Sequence, residues 1–139
     1  MTNLIPDPIR IAIQRYFDGH ATGDPSVMRQ AFHESARLQF VEDGRYAEWS
    51  LDEYLARLPG RAADDEPRRA RRITAVHATD EAATAELELD YPAVRFVDYL
   101  TLLLIDGDWV IVNKAFKALP KHVAPSISAP PPSAPSRSS

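Results

Sequence analysis

The sequence predicts an α+β domain, in which short helices near the N-terminus cover one face of an antiparallel sheet. Three observations lead there. Residues 94–116, VRFVDYLTLLLIDGDWVIVNKAF, place two long apolar, β-prone runs on either side of Asp106-Gly107. An Asp-Gly pair in that setting is a strong hairpin signal, because both central turn residues need φ > 0. Helix-start signatures stand at Asp7-Pro8, Asp24-Pro25 and Ser50-Leu51-Asp52-Glu53. A second pair of strands flanks Asp80-Glu81.

In the first helix Asp7 is the expected cap and Pro8 the first helical residue, where the missing N–H costs nothing. Ile9, Ile13, Tyr16 and His20 fall on one stripe with Ala12 and Phe17 beside it, and residues 19–23 end the helix between two glycines. Asp24-Pro25 repeats the cap for a second helix whose buried side is Val27, Met28, Ala31 and Phe32. Residues 37–42 alternate as a strand with Leu38, Phe40 and Glu42 on one face, and 42–44 turn the chain into residues 45–49. Ser50 and Glu53 form a capping box for the third helix, and Trp49 with Tyr54 forms its hydrophobic staple. Leu55 and Leu58 continue that helix to Pro59-Gly60.

The loop 61–67 is acidic, and Arg68, Arg69, Arg71 and Arg72 follow it as expected solvated surface. Strands over 70–78 and 83–91 are expected to pair Val76 with Ala85 and Thr74 with Leu87 toward the core. His77 with Thr84 and Arg71 with Asp90 fall on the polar face. In the hairpin of 94–116, a regular register sets Leu104 opposite Trp109, Leu102 opposite Ile111, Leu100 opposite Asn113 and Asp98 opposite Ala115. Those residues and Phe96 share one face; Val97, Tyr99, Leu103, Val110, Val112, Lys114 and Phe116 share the other. Both faces are apolar enough to need covers, helices on one and a second subunit on the other. Asp98 and Asn113 are the polar exceptions on the first face.

The chain has 139 residues, of which 45 % are hydrophobic and 26 % charged, with a formal charge of −4. One domain over 1–119 followed by a Pro/Ser-rich disordered tail over 120–139 is expected. The acidic balance argues against nucleic acid. No run approaches the roughly 18 apolar residues of a membrane helix, so a soluble cytoplasmic protein is expected. Cysteine is absent, which excludes thiol catalysis. His20, His33, His77 and His122 show no metal-ligand spacing, and no glycine-rich phosphate loop occurs, so neither metal nor cofactor is expected.

Helix, helix, strand, helix and then long strands ending in FVDYLTLLLIDGDWVIVNKAF resembles the nuclear-transport-factor-2-like (NTF2-like) superfamily, the fold of the ketosteroid isomerases and SnoaL-like proteins. Within it, YFDGHATGDPSVMRQAFHESARLQF, WSLDEYLARLPG and DYLTLLLIDGDWVIVNK are similar to the family described as putative lumazine-binding, over residues 9–119. The resemblance implies a strongly bent sheet wrapped into a cone, helices closing its mouth over a cavity, and a homodimer through the outer sheet face. It also implies that Tyr16 and Asp98 match the oxyanion-hole pair of the isomerases. The position of their general base falls at Phe40, and Glu42 is the nearest carboxylate on that strand face.

Three readings follow. In the first, the cone binds a small aromatic or heterocyclic molecule, oriented by Asp98, Asn113 and Tyr16 between walls of Phe40, Trp49, Tyr54 and Trp109. In the second, the same pocket is an enzyme for isomerase-, dehydratase- or cyclase-like proton transfer, with Asp98 and Tyr16 stabilising an oxyanion and Glu42 or His20 as base. In the third, the outer sheet face docks a protein. The fold carries all three kinds of activity and does not choose among them.

Overall fold

The computed structural model describes residues 4–121. The elements run α1 (Asp7–Thr22), α2 (Pro25–Arg29), β1 (Phe32–Glu42), β2 (Arg45–Ser50), α3 (Leu51–Leu55), a 3-10 turn (Glu66–Arg68), β3 (Ala70–Thr79), β4 (Ala82–Asp90), β5 (Val94–Ile105) and β6 (Asp108–Pro120). They form one six-stranded sheet in the order β2-β1-β6-β5-β4-β3, with three α-helices on one face. The predicted tail, with His122, lies outside the described residues apart from Pro120 and Lys121.

Helix starts behave largely as their side chains dictate. The Asp24 carboxylate accepts from the Ser26 N–H at 2.9 Å, and Ser50 and Glu53 form both hydrogen bonds of the capping box. Trp49 stacks on Tyr54 with ring centroids 6.2 Å apart, as a staple requires. The first cap departs from expectation. Pro6, not Asp7, is the N-cap of α1; its carbonyl accepts from Ile9 and Arg10, and Asp7 sits inside the first turn where its charge suits the helix dipole. The third helix is shorter than its apolar pattern, ending at Leu55, although Leu58 still packs on the core.

Asp106 and Gly107 adopt φ of 51° and 82°, the conformation of a two-residue turn, and Ile105 pairs with Asp108. The expected pairs hold as far as Leu102 with Ile111. There the register shifts by one: Thr101 pairs with Asn113, Leu100 with Lys114 and Asp98 with Phe116. Val112 is the extra residue of a β-bulge, a device that bends a strand and reverses the faces of everything beyond it. A second shift between Ile73 and Ala75 pairs Ile73 with Leu87 and Arg71 with Leu89. Thr74 therefore points out to solvent, donating to the Glu86 carbonyl at 3.0 Å, and does not face the core opposite Leu87. Val76 with Ala85 and His77 with Thr84 pair as expected.

A pairing that no hairpin signal could announce is β1 with β6, in parallel. It too carries a register shift, between Phe32 and Arg37. Three such irregularities give the sheet its bend. The hollow of that bend holds the core: Ile9, Ile13, Tyr16, Met28, Leu38, Leu87, Leu100, Leu102 and Ile111 are each at most 1 % exposed. Burial of each large aliphatic group contributes about 1.5–3 kcal/mol. Arg71 is not the solvated residue its charge run suggested. Its guanidinium is held by both Glu66 oxygens at 2.7 and 2.8 Å and donates to the Tyr91 hydroxyl at 3.1 Å. No helix among the described residues is long and apolar enough to cross a membrane.

Candidate functional site in the cone

The polar exceptions in this hollow form a connected group. Asp98 lies on β5 between Phe96 and Leu100, on the alternating set that faces the helices, and is 1 % exposed. The Tyr16 hydroxyl, from the buried stripe of α1, donates to Asp98 Oδ2 at 2.5 Å. Asp98 Oδ1 is buried with no hydrogen-bond partner among the described residues. Lys114, turned inward by the bulge at Val112, places Nζ 4.0 Å from Asp98 Oδ2 and 3.4 Å from the Tyr54 oxygen. Its ammonium end also lies over the rings of Tyr16, Tyr54 and Phe116. The Tyr54 hydroxyl in turn lies 3.2 Å from His20 Nε2. Five titratable side chains from α1, α3, β5 and β6 thus touch in series.

Burial dominates their acid–base behaviour. It raises the Asp98 pKa, against the opposing pulls of Lys114 and the Tyr16 hydrogen bond. It lowers the Lys114 pKa, with Asp98 pulling the other way. His20 is driven well below its usual value by burial and then by Lys114, Arg71 and Arg69, so its imidazole is neutral at pH 7. Tyr16 and Tyr54 are both raised well above the phenol range, first by burial and then by the Asp98 charge. Groups with these opposed shifts in one cavity are the usual means of running acid–base chemistry near neutrality.

Two chambers with shared walls border this group. The inner, of about 40 Å³, is walled by Asp98, Lys114, His20 and Tyr54 with Trp49, Leu89, Phe96 and Phe116. The outer, of about 250 Å³, shares His20, Trp49, Tyr54 and Phe96 and adds Arg57, Leu58, Arg69, Tyr91 and Val94. Arg57 lies over the Trp49 ring at 4.2 Å and Arg69 over Tyr91 at 4.1 Å, which sets two cations at the mouth. The inner chamber has room for a small polar group, and the outer for a ring-sized body.

Of the residues singled out from sequence, Asp98, Tyr16, His20, Trp49 and Tyr54 come together here. Phe40 stands behind the wall, with its ring 4.7 Å from Trp49 and 5.1 Å from Phe116. Three do not join them. Glu42 is exposed at the far end of β1, opposite Arg45 next to the turn, so it is not placed to act as base in the cavity. Asn113 is carried to the outer face by the bulge and donates to Gln39 Oε1 at 2.5 Å. Trp109 is packed in the core and belongs to neither chamber. Lys114, expected on the outer face, was missed. One signal was present: Ile111 and Phe116 are both large and apolar but five residues apart, so a regular strand cannot turn both inward. Among the described residues no group of three or more His, Asp or Glu side chains could hold a metal ion.

A bent six-stranded sheet closed by three helices over a buried acid–base cavity defines an NTF2-like protein. The fold matches an NTF2-like protein of unknown function from Shewanella baltica OS155 with a TM-score of 0.76 at 22 % identity, covering 86 % of this chain and 100 % of that one. A second NTF2-like protein of unknown function, from Silicibacter pomeroyi DSS-3, matches with a TM-score of 0.71 at 27 % identity, covering 81 % and 93 %. The chain belongs to the family described as putative lumazine-binding, whose model matches residues 7–117. Among curated proteins it is similar to the aldolase FrzH of a Cladobotryum species, 23 % identical over 106 residues that span 76 % of this chain and 85 % of the relative.

Proposed function

We propose that the cone binds a small, flat molecule bearing a carbonyl or enol oxygen, with its polar end in the inner chamber and its ring or chain between Trp49, Tyr54 and Phe96. The observation that carries this is Asp98 Oδ1, a buried carboxyl oxygen without a partner among the described residues, on the wall of a cavity. Leaving such an oxygen unsatisfied costs about 1–3 kcal/mol, which a ligand hydroxyl or ring N–H recovers. When Asp98 is protonated, the same oxygen donates to a ligand carbonyl instead. The family description and the aromatic lining both favour an aromatic or heterocyclic ligand.

A second reading, an enzyme acting by proton transfer in this cavity, is favoured by the opposed pKa shifts of Asp98 and Lys114. The likeness to a protein named as an aldolase supports it. In this reading Asp98 and Lys114 exchange the proton, and Tyr16 and Tyr54 orient them. Both readings include a cytoplasmic homodimer. Tyr99, 54 % exposed on the outer sheet face among half-buried Val97, Leu103, Val110 and Val112, supports that face as the interface.

Native mass spectrometry of the purified protein, followed by denaturing extraction, tests both parts. The expected result is a dimer mass carrying one small molecule per subunit, lost in Asp98→Ala. A dimer whose retained ligand is unaffected by Asp98→Ala overturns the assignment of the site, and a monomer overturns the outer-face interface.

A further inference from the structure

Lys114 is not needed by a cavity that only binds. A cation alone could be supplied by arginine, which cannot lose its proton and which this chain uses thirteen times against three lysines, Lys114, Lys117 and Lys121. The one lysine in the cone is 5 % exposed, ends at the inner chamber, and makes a single long hydrogen bond to Tyr54 and a 4.0 Å approach to Asp98. Asp98 lines the same chamber with an oxygen that has no partner among the described residues. Amine, acid and void are therefore contiguous.

We propose that Lys114 is a nucleophile that forms an imine with an aldehyde or ketone held in the cone, with Asp98 as the acid that removes the carbonyl oxygen. The proposal rests on the cone being a ligand site and deepens that reading by naming the substrate class. The Asp98–Lys114 pair holds one proton between its two members beyond the neutral amine and the carboxylate. With that proton on Asp98, the lysine lone pair is free. The amine attacks the carbonyl carbon and the C–N bond forms. The carbonyl π pair moves to oxygen, and an amine proton follows it, giving a neutral carbinolamine. The C–O bond then breaks as Asp98 delivers its proton to the departing oxygen, which leaves as water. The product is a protonated imine on Lys114 beside an Asp98 carboxylate, with the same net charge as at the start. That carboxylate is positioned to take a proton from the carbon next to the imine, producing an enamine able to attack a second carbonyl.

The groups facing Lys114 fit each stage. Tyr54 and Tyr16 keep their protons because burial and Asp98 hold their pKa values high, so they act as fixed donors. His20, beyond Tyr54, is neutral and adds no repelling charge to the iminium. Burial lowers the lysine pKa and so enlarges the neutral fraction that can attack. The ring faces of Tyr16, Tyr54 and Phe116 that lie around the ammonium also suit the cationic imine that replaces it.

Reductive trapping tests this on the full chain. Benzaldehyde and cyclohexanone are incubated with the protein at pH 7 in sodium cyanoborohydride, and adducts at the three lysines are located by peptide mass mapping. The expected result is labelling of Lys114 on the order of ten-fold above the exposed Lys117 and Lys121. It should vanish in Lys114→Arg and Lys114→Met while the other two lysines label as before. Lys114→Arg keeps the buried cation, so it serves where Lys114→Met fails to fold. Labelling of Lys114 no greater than that of the exposed lysines overturns the proposal. Quenching of Trp49 fluorescence by the same probes without reductant, in Trp109→Phe protein, separates the two readings. Probes that quench but leave Lys114 unlabelled overturn the imine and leave the binding cavity standing; probes that neither quench nor label overturn both for carbonyl ligands.

Discussion

Tyr16 occupies one oxygen of Asp98 and leaves the other open, and Lys114 stands 4.0 Å from the occupied oxygen. A buried ion pair of this kind stabilises little as a pair, because desolvating two charges offsets their attraction; removing one member strands the other at a cost of about 3–5 kcal/mol. Asp98→Asn and Lys114→Met should therefore each destabilise the fold strongly while the double substitution costs much less than their sum. A coupling of about 0.5–3 kcal/mol in a urea-unfolding double-mutant cycle is expected. Additive effects would show that the two residues do not share a proton or a charge. At this scale the sequence exposed half of the site. Asp98 was legible because a lone carboxyl interrupts an apolar alternation, whereas Lys114 looked like an ordinary outer-face lysine until the bulge at Val112 reversed it.

The elements matter through what they hold at a fixed distance. α1 carries Tyr16 and His20 and packs on α2, and their contact is close enough that Gly19 has no room for a side chain: a Cβ there would lie 2.7 Å from Met28 Cα. Alanine would gain about 1 kcal/mol in helix propensity but must push two backbones apart, at about 1–3 kcal/mol. Gly19→Ala should lower the urea midpoint and displace Tyr16 from Asp98. An unchanged midpoint would mean that the α1–α2 contact yields freely. The capping box of α3 and the Trp49 staple were readable because they depend on residues within five positions of each other. The bulges at Val112 and near Thr74 do not follow from counting outward from the turns, because that count holds only for a regular ladder.

Over the whole molecule the cone makes stability depend on pH. Unfolded, His20 binds a proton below about pH 6.5. Folded, burial and the neighbouring cations hold it neutral well below that value. The unfolded chain therefore binds the extra proton in this window, and the His20 contribution to stability falls as the pH drops below about 6.5 and is constant above it. Unfolding free energies at pH 5 and 7.5 should differ by about 1–2 kcal/mol more in the wild type than in His20→Gln; equal differences would show that folding does not lower the proton affinity of His20. The sequence by itself determined the α+β class, the caps of the second and third helices and the hairpin turns, because caps and turns are decided within a few residues, whereas the pairing of Tyr16 with Asp98 was an expectation of the family resemblance. Tertiary structure alone decided that β1 lies parallel to β6 and that bulges bend the sheet. Through them it decided that Lys114 stands inside the cone while Asn113 and Glu42 stand away from it. A register shift of one residue costs little locally and is fixed only by the packing of the whole sheet against its helices.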